Sequence, residues 1–214
     1  MKRILLLILP GFSALCLVAQ ESPDYRNLDR HARRAPEALQ QDLPALVAYL
    51  IEPADSEEEK ARVIYAWITQ HISYDLTAYQ GGQRRINRSN ADILRRGQAV
   101  CFGYATLFRD MCAEAGLNAE VISGYSKGTL TAEPELDAVD HAWNAVRLDG
   151  AWHLLDATWG SSVLQKDNDF VQTPAEEYWL TPPSRFILHH LPSLPMWQLL
   201  DCPVDPATFR QPPA

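Results

Sequence analysis

Apolar residues repeat every three or four positions in several stretches of the chain, a spacing that is typical of helices. The predicted helices begin after Asp42, after Ser56, at Asn90 and at Cys101. Ser56 and Glu59 have the spacing of a capping box, and the repeat that follows predicts an amphipathic helix to about His71. Gly97 and Gly116 predict the ends of the last two helices, because glycine readily adopts the backbone conformation that stops a helix.

A pattern that favours strands follows the last of these helices. The predicted strands are Ala119–Tyr125, Asp140–Leu148 and Ala151–Thr158, with a long acidic loop from Ser126 to Val139. Asp149-Gly150 joins the last two strands, and this dipeptide favours a two-residue type I′ turn. Such a turn pairs Leu148 with Ala151 and thereby sets the register of the whole hairpin.

The hairpin register brings a histidine and a carboxylate to one face of the sheet. It sets His141 opposite Thr158 and Trp143 opposite Asp156, and alternation puts all four side chains on the same face. Asp156 is then the diagonal neighbour of His141, about 7–8 Å away between backbones and within side-chain reach. A carboxylate there would fix the imidazole tautomer and stabilise its cation. His153 points to the opposite face, which argues against it as a base.

Cys101 stands in the first turn of a predicted helix. The partial positive charge of a helix N-terminus favours the thiolate, which is the nucleophilic form of cysteine. The alternative is a small buried hydrophobic residue, as most free cysteines are. Cys112, further along the same helix, is expected to be buried. With His141 and Asp156, Cys101 completes a Cys-His-Asp set in chain order, which favours covalent catalysis.

Length, composition and charge indicate a single domain and argue against two kinds of partner. The chain has 214 residues, of which 47% are hydrophobic, so it can form one domain with a sizeable core. The formal net charge is −8, which argues against nucleic acid as a partner and against attachment to an anionic membrane through bulk charge.

The N-terminus has the pattern of a secretory signal over residues 1–20. Lys2 and Arg3 precede an apolar run from Ile4 to Leu9, and the segment is shorter than the ~20 apolar residues of a membrane span. We therefore expect export to the periplasm or the extracellular space, with no stable membrane insertion after cleavage. Lipid anchoring through Cys16 is a minority alternative.

Arginines are concentrated before Cys101. They are Arg84, Arg85, Arg88, Arg95 and Arg96. The simpler interpretation is a solvated face. The alternative is a positive field that stabilises a thiolate or attracts an acidic substrate.

Three motifs in order resemble a known family. Residues 97–105 read Gly-Gln-Ala-Val-Cys-Phe-Gly-Tyr-Ala, residues 141–144 His-Ala-Trp-Asn and residues 154–160 Leu-Leu-Asp-Ala-Thr-Trp-Gly. They resemble the nucleophile motif, the histidine strand and the acid strand of the transglutaminase-like superfamily, most closely its kyphoscoliosis-peptidase branch. Residues 66–75 resemble the helix before the nucleophile, and residues 178–200 the branch-specific extension. One departure is Gln98-Ala99, which stands where the family usually has glycine directly before valine.

The resemblance implies an α+β, papain-like fold in which the nucleophile helix packs on an antiparallel sheet. It implies Cys101, His141 and Asp156 as a catalytic triad, without a metal or cofactor. The backbone N–H of Cys101 is the natural first oxyanion donor, and Gln98 and Trp143 are further candidates for oxyanion or substrate contacts.

The predicted organisation has one catalytic unit. It consists of a signal (1–20), a polar lead-in (21–42), a transglutaminase-like core (43–165), an extension packed on the core (166–204) and a tail (205–214). The expected function is that of a secreted thiol-dependent enzyme that acts on peptide or amide bonds through a thioester, with hydrolysis favoured. A transglutaminase with an amine acceptor and a non-catalytic peptide-binding scaffold are the alternatives. The oligomeric state is not predicted.

Overall fold

The computed structural model describes residues 23–82, 88–127, 136, 138–161, 163–166, 169–172 and 175–211. The predicted signal, Arg84, Arg85 and most of the predicted acidic loop lie outside these residues. Within the described part of the chain, no helix has both the length and the apolar character needed to span a bilayer.

The described chain contains both helices and strands. The helices are α1 (Arg26–Arg33), α2 (Leu43–Leu50), α3 (Glu57–His71), α4 (Leu76–Gln80), α5 (Asn90–Arg96), α6 (Cys101–Glu114), α7 (Ala157–Gly160), α8 (Pro183–Phe186) and α9 (Pro206–Arg210). The strands are β1 (Ser73–Tyr74), β2 (Gln98–Ala99), β3 (Asn118–Ser126), β4 (His141–Leu148), β5 (Ala151–Leu155), β6 (Val163–Lys166), β7 (Asp169–Gln172) and β8 (His190–Pro192). Short 3₁₀ turns cover Glu37–Gln41, Glu176–Tyr178 and Pro195–Gln198.

Helix α3 lies at the centre of the molecule. Its start is capped as predicted, because the Ser56 hydroxyl accepts a hydrogen bond from the Glu59 amide at 3.1 Å. The amphipathic pattern expected for this helix is wrong over residues 61–69, which are all buried. The reason is that α1 packs against α3 on the side that was expected to face solvent, with Leu28 and Ala32 buried between them.

The main sheet has the strand order β5-β4-β3-β8, and every pair in it is antiparallel. Helix α6 packs against β3 and β4 on one side and against α3 on the other. A helix that begins at Cys101 and packs on an antiparallel sheet is the α+β arrangement that the sequence predicts, so the expected fold class is confirmed.

The β4–β5 hairpin has the predicted register from Leu148↔Ala151 to Asn144↔Leu155. Asp149 and Gly150 both have positive φ, 49° and 85°, as a type I′ turn requires. The prediction that the strand continues to Thr158 is wrong, because β5 ends at Leu155 and the chain turns into α7. Thr158 therefore does not pair with His141.

The C-terminal stretch enters the sheet instead of only covering it. Strand β8 pairs with β3 from Gly124↔Pro192 to Ser126↔His190 and forms one edge of the main sheet. At the predicted boundary between the core and the extension, β6 and β7 form a separate antiparallel pair. A segment late in the chain thus reaches the strands that carry the predicted site.

Candidate active site

Cys101 is the first residue of α6, and the chain that leads to it is held by backbone hydrogen bonds. Gly97 ends α5 with a φ of 60°. Gln98 and Ala99, the two residues that depart from the family motif, then form β2, which pairs in parallel with β1. The departure is therefore accommodated as a short ladder that leads directly to Cys101.

The first turn of α6 packs closely on its neighbours. A Cβ at Gly103 would lie 2.8 Å from the Cβ of Ala99, so glycine is needed for this approach. Tyr104 anchors the same turn through a 2.5 Å hydrogen bond from its hydroxyl to the Ile72 carbonyl. The Cys101 amide lies in the turn whose N–H groups have no partner within the helix, so it is free to serve as a donor.

His141 is the first residue of β4 and pairs with Gly124 of β3. A side chain at Gly124 would collide with Trp143, so this glycine lets the indole pack under the sheet beside His141. His141 is 7% exposed. One cleft connects it to the nucleophile position. The cleft is lined by Cys101, Phe102, Ser123, Val139, Asp140, His141 and Ala142.

Asp156 is completely buried and caps the N-terminus of α7. Its Oδ1 accepts hydrogen bonds from the amides of Thr158 and Trp159 at 2.8 and 3.1 Å. Its Oδ2 accepts a 2.7 Å hydrogen bond from Nε2 of His141. The predicted contact between His141 and Asp156 is present, although a helix cap and not a longer strand positions the carboxylate.

The charges of the pair reinforce each other. Burial by itself lowers the pKa of His141, but the charge of Asp156 and hydrogen bonds to Asp156 and Cys101 raise that pKa well above its usual value. Burial by itself raises the pKa of Asp156, and the imidazole partners bring it well below its usual value. Because Nε2 faces Asp156, Nδ1 is the nitrogen of His141 that remains for Cys101.

His190 is a member of this cluster that the sequence analysis missed. Its Nε2 lies 3.0 Å from the same Oδ2 of Asp156. The residue lies in β8 and is 1% exposed. A strand of three residues gives almost no periodicity, and its pairing with β3 depends on contacts distant in sequence. The only signal in the sequence was a histidine pair, His189-His190, between apolar residues.

Gln98 and Trp143 are not among the residues that line the cleft. Gln98 is exposed in β2. Trp143 is 1% exposed and packs against Phe186 and His190, on the core side of the histidines. The structure therefore gives Trp143 a packing position behind the imidazoles and leaves the second oxyanion donor unassigned.

Three of the five arginines are paired with carboxylates. Arg88 and Arg96 approach Asp75 at 3.4 and 3.7 Å, and Arg95 approaches Asp92 at 2.5 Å. Their charge is largely balanced locally, which favours the simpler interpretation for these three side chains.

His141, Asp156 and His190 are also the one group, among the described residues, whose ligand atoms could hold a metal ion. The Nε2 atoms of His141 and His190 lie 2.7 and 3.0 Å from Oδ2 of Asp156, which are hydrogen-bond distances. Tetrahedral zinc would separate its ligand atoms by roughly 3.3 Å. The arrangement as it stands fits shared protons better than a shared metal.

Comparison with known proteins agrees with this architecture. Residues 44–157, more than half of the chain, match the family model of the transglutaminase-like superfamily. The chain is 38% identical over 202 residues to human kyphoscoliosis peptidase, covering 93% of this chain and 30% of that protein. It is 29% identical over 205 residues to hillarin of Drosophila melanogaster, covering 89% of this chain and 25% of that protein.

The chain thus spans less than a third of the length of these relatives. Among solved structures, one described as the crystal structure of a TGase is similar with a TM-score of 0.42 and 22% identity, covering 57% of this chain and 31% of that one. The match of the family model to the segment that carries Cys101, His141 and Asp156 is the decisive finding. The chain belongs to the transglutaminase-like superfamily.

Proposed function

We propose that this protein is a thiol-dependent acyl-transfer enzyme that hydrolyses amide bonds of peptides or proteins. One observation carries the proposal: the imidazole of His141 bridges the buried carboxylate of Asp156, at 2.7 Å, and the thiol of Cys101. A base held between a carboxylate and a nucleophile is the arrangement that activates cysteine for attack on a carbonyl.

The chemistry follows from the two nitrogens of His141. Nδ1 takes the proton of the Cys101 thiol, and Asp156 stabilises the imidazolium through Nε2. The thiolate attacks the carbonyl carbon of the amide, and the Cys101 N–H donates to the oxyanion that forms. When the C–N bond breaks, Nδ1 returns its proton to the leaving amine and a thioester remains. Nδ1 then takes a proton from water, which attacks the thioester and releases the acid and the thiol.

Water is proposed as the acyl acceptor because two similar relatives, the human and mouse proteins, are named kyphoscoliosis peptidase. An amine acceptor would make the protein a transglutaminase, and a scaffold would bind peptides without turnover. Export through the predicted signal is part of the proposal. Mass spectrometry of protein from the native host should find a mature N-terminus between Leu17 and Glu21, and intact Met1 would contradict export.

Three cysteines of the described chain allow an internal test of activation. Cys101 is 4% exposed, Cys112 is fully buried and Cys202 is exposed. Burial raises the pKa of the Cys112 thiol, so this cysteine should stay unreactive until the protein unfolds. Iodoacetamide at neutral pH, with peptide mapping of each site, should label Cys101 faster than Cys202 despite its lower exposure.

The same labelling in His141→Ala should bring Cys101 to or below the rate of Cys202. Equal rates of Cys101 labelling in the unaltered protein and in His141→Ala would contradict the role of His141 as the base. A screen with peptide substrates then tests turnover, which Cys101→Ser should abolish while the fold remains. Incorporation of a labelled primary amine in place of hydrolysis would assign the transglutaminase reaction instead, and activated labelling without any turnover of peptides or amines would favour the scaffold.

A further inference from the structure

Asp156 is a carboxylate with no vacant acceptor position. Oδ1 takes two backbone amides, and Oδ2 takes the Nε2 groups of both His141 and His190. A carboxylate has about four lone-pair sites, and all four are used here. The His141 contact accounts for only one of them. Two backbone amides and His190 supply the other three.

The surroundings of His190 make it a neutral donor. Aromatic rings enclose it, with Phe186 stacked at a centroid distance of 4.1 Å and Trp159 at 4.5 Å. Its Nδ1 is buried without a hydrogen-bond partner among the described residues. A protonated ring would place an N–H there with nothing to accept it, which is costly in a buried site. The neutral ring leaves Nδ1 as an unprotonated nitrogen and uses Nε2–H for Asp156.

The charged and titratable groups that face His190 agree with this. They are Asp156, His141, His189 and Tyr178. Burial lowers the pKa of His190, the charge of Asp156 opposes that effect only in part, and His141 and His189 add to it. Since the pKa of His141 is raised on the same carboxylate, the two imidazoles differ in protonation although they share one oxygen.

We propose that His190 is a positioning residue, which holds the Asp156 carboxylate against Nε2 of His141 and takes up part of its charge. This inference rests on the proposed function. His190 is not among the residues that line the cleft, so the proposal gives it no contact with substrate. Its Nε2–H competes with His141 for the charge on Oδ2, so that the imidazolium of His141 is stabilised enough to form and still able to release its proton to the leaving amine.

Removing the donor should therefore make His141 more basic. In His190→Phe the ring can still stack on Phe186, but the full charge of Oδ2 acts on His141 alone. The titration midpoint of the His141 ring, followed by NMR and assigned by its loss in His141→Ala, should rise by roughly one pH unit. The alkaline limb of the pH–rate profile should move with it. His190→Gln places an amide N–H near the position of Nε2 and should return both to the position of the unaltered protein.

His189→Phe is the matched control. His189 is the exposed neighbour of His190 and has no hydrogen bond to Asp156 among those described, so its replacement should leave the His141 midpoint in place. A role for His190 in folding alone would lower the folded fraction in both His190 variants and leave the midpoint unmoved. An unchanged midpoint in folded His190→Phe would overturn the proposal.

A measurement on the unaltered protein covers the case in which His190→Phe does not fold. Nitrogen-15 NMR should show His190 neutral, with its proton on Nε2, from about pH 5 to 8. A charged ring, or a proton on Nδ1, would overturn the inference. These outcomes are separate from the failure of the proposed function, which would appear as Cys101 labelling that does not depend on His141.

Discussion

Arg62 and Asp156 are both buried charges, and their partners differ in kind. Arg62, 1% exposed, lies between the carboxylates of Asp29 and Glu176, and each binds the guanidinium through two hydrogen bonds of 2.6 to 2.9 Å. Asp156 lies between the imidazoles of His141 and His190. One cluster is a cation between two anions, and the other is an anion between two titratable rings.

The two clusters also differ in where their charge can go. The Arg62 cluster ends at partly exposed carboxylates, with side-chain exposures of 24% for Asp29 and 62% for Glu176. Burial alone lowers the pKa of Arg62, but the hydrogen bonds that its guanidinium donates to these carboxylates raise that pKa, so its charge is fixed. The Asp156 cluster ends at His141 and Cys101, where a proton can move. We infer that the first cluster stabilises the fold and that the second performs the proposed chemistry.

Both clusters join distant parts of the chain. Arg62 of α3 binds α1 through Asp29 and the C-terminal stretch through Glu176, and its guanidinium stacks on Tyr25 at 4.6 Å. Asp156 joins β4 to β8. The C-terminal stretch therefore contributes one partner to each cluster. Removing one charge at a time tests whether the two clusters have these different roles.

Asp156→Asn should have the largest effect, on rate. The asparagine can still cap α7, since its oxygen can accept the amides of Thr158 and Trp159. Its NH₂ would face the two Nε2 atoms as a donor, which forces the proton of His141 onto Nδ1, the wrong nitrogen to accept from Cys101. We expect kcat to fall by about 10³- to 10⁴-fold with little loss of stability.

The control for this variant is Asp149→Asn, the same chemical change in the hairpin turn. Asparagine tolerates positive φ, so the turn should form and the rate should stay unchanged. Steady-state kinetics and urea unfolding on both variants separate the two effects. If the loss of unfolding free energy in Asp156→Asn accounted for its loss of rate, Asp156 would be a structural charge like Arg62.

Arg62→Met should have the opposite signature. Methionine keeps the apolar contact with Tyr25, Tyr65 and Trp179, but Asp29 and Glu176 lose their cation. We expect the free energy of unfolding to fall by about 3 kcal/mol, the lower end of the range for a broken buried pair, because both carboxylates can regain water. The rate per folded molecule should be retained.

Urea unfolding and active-site titration of Cys101 with iodoacetamide measure these two quantities. Arg26→Met is the control, since Arg26 pairs with Asp24 on the surface with 84% of its side chain exposed. Arg26→Met should change neither the free energy of unfolding nor the rate. A loss of rate per active site in Arg62→Met would show that the two clusters are coupled.

The sequence predicts these clusters unequally. The hairpin is determined by residues close in sequence, because the dipeptide Asp149-Gly150 favours one turn type. The register of His141 could therefore be worked out from the sequence. The helix that begins at Cys101 is also predicted by residues close in sequence. Asp156 was located by extending that register, and the extension misjudged the backbone because the carboxylate takes the two amides that start α7.

Arg62 and His190 could not be predicted in this way. Arg62 has the position of a solvated residue on an amphipathic helix, and its burial depends on Asp29 and Glu176, which are 33 and 114 residues away in sequence. His190 lies 34 residues from Asp156, in a strand too short to show its face. Side chains that are placed by tertiary contacts alone leave no periodic signal.

The two histidines of the Asp156 cluster should give the free energy of unfolding pH dependences of opposite sign. The pKa of folded His141 is raised, so its contribution is present below the unfolded value of ~6.5 and is lost as the pH rises through the folded value. The pKa of folded His190 is lowered, so its contribution is present above ~6.5 and is lost as the pH falls through the folded value. The free energy of unfolding should peak near pH ~6.5, with a slope of about 1.4 kcal/mol per pH unit from each group.

Urea unfolding across this pH range measures both slopes. His190→Gln should flatten the acid side and His141→Ala the alkaline side, whereas Arg62→Met should lower the whole curve without changing its shape. A curve that keeps its acid slope in His190→Gln would mean that another group takes up the proton.

His153→Ala should have the smallest effect, and it tests the two faces of one hairpin. His153 pairs with Val146 in the ladder and lies one residue before Leu154. His141 lies five positions before Val146 in β4, so alternation places the side chains of His153 and His141 on opposite faces. His153 is partly exposed, and substitutions at such positions usually change stability by no more than about 0.5 kcal/mol.

We expect His153→Ala to match the unaltered protein in rate, in the labelling of Cys101 and in the pH dependence of that labelling, whereas His141→Ala loses all three. Rate and labelling assays on this pair of histidine variants compare the same substitution on the same hairpin. A loss of rate in His153→Ala equal to that in His141→Ala would mean that catalysis uses the other face of the sheet, away from Asp156.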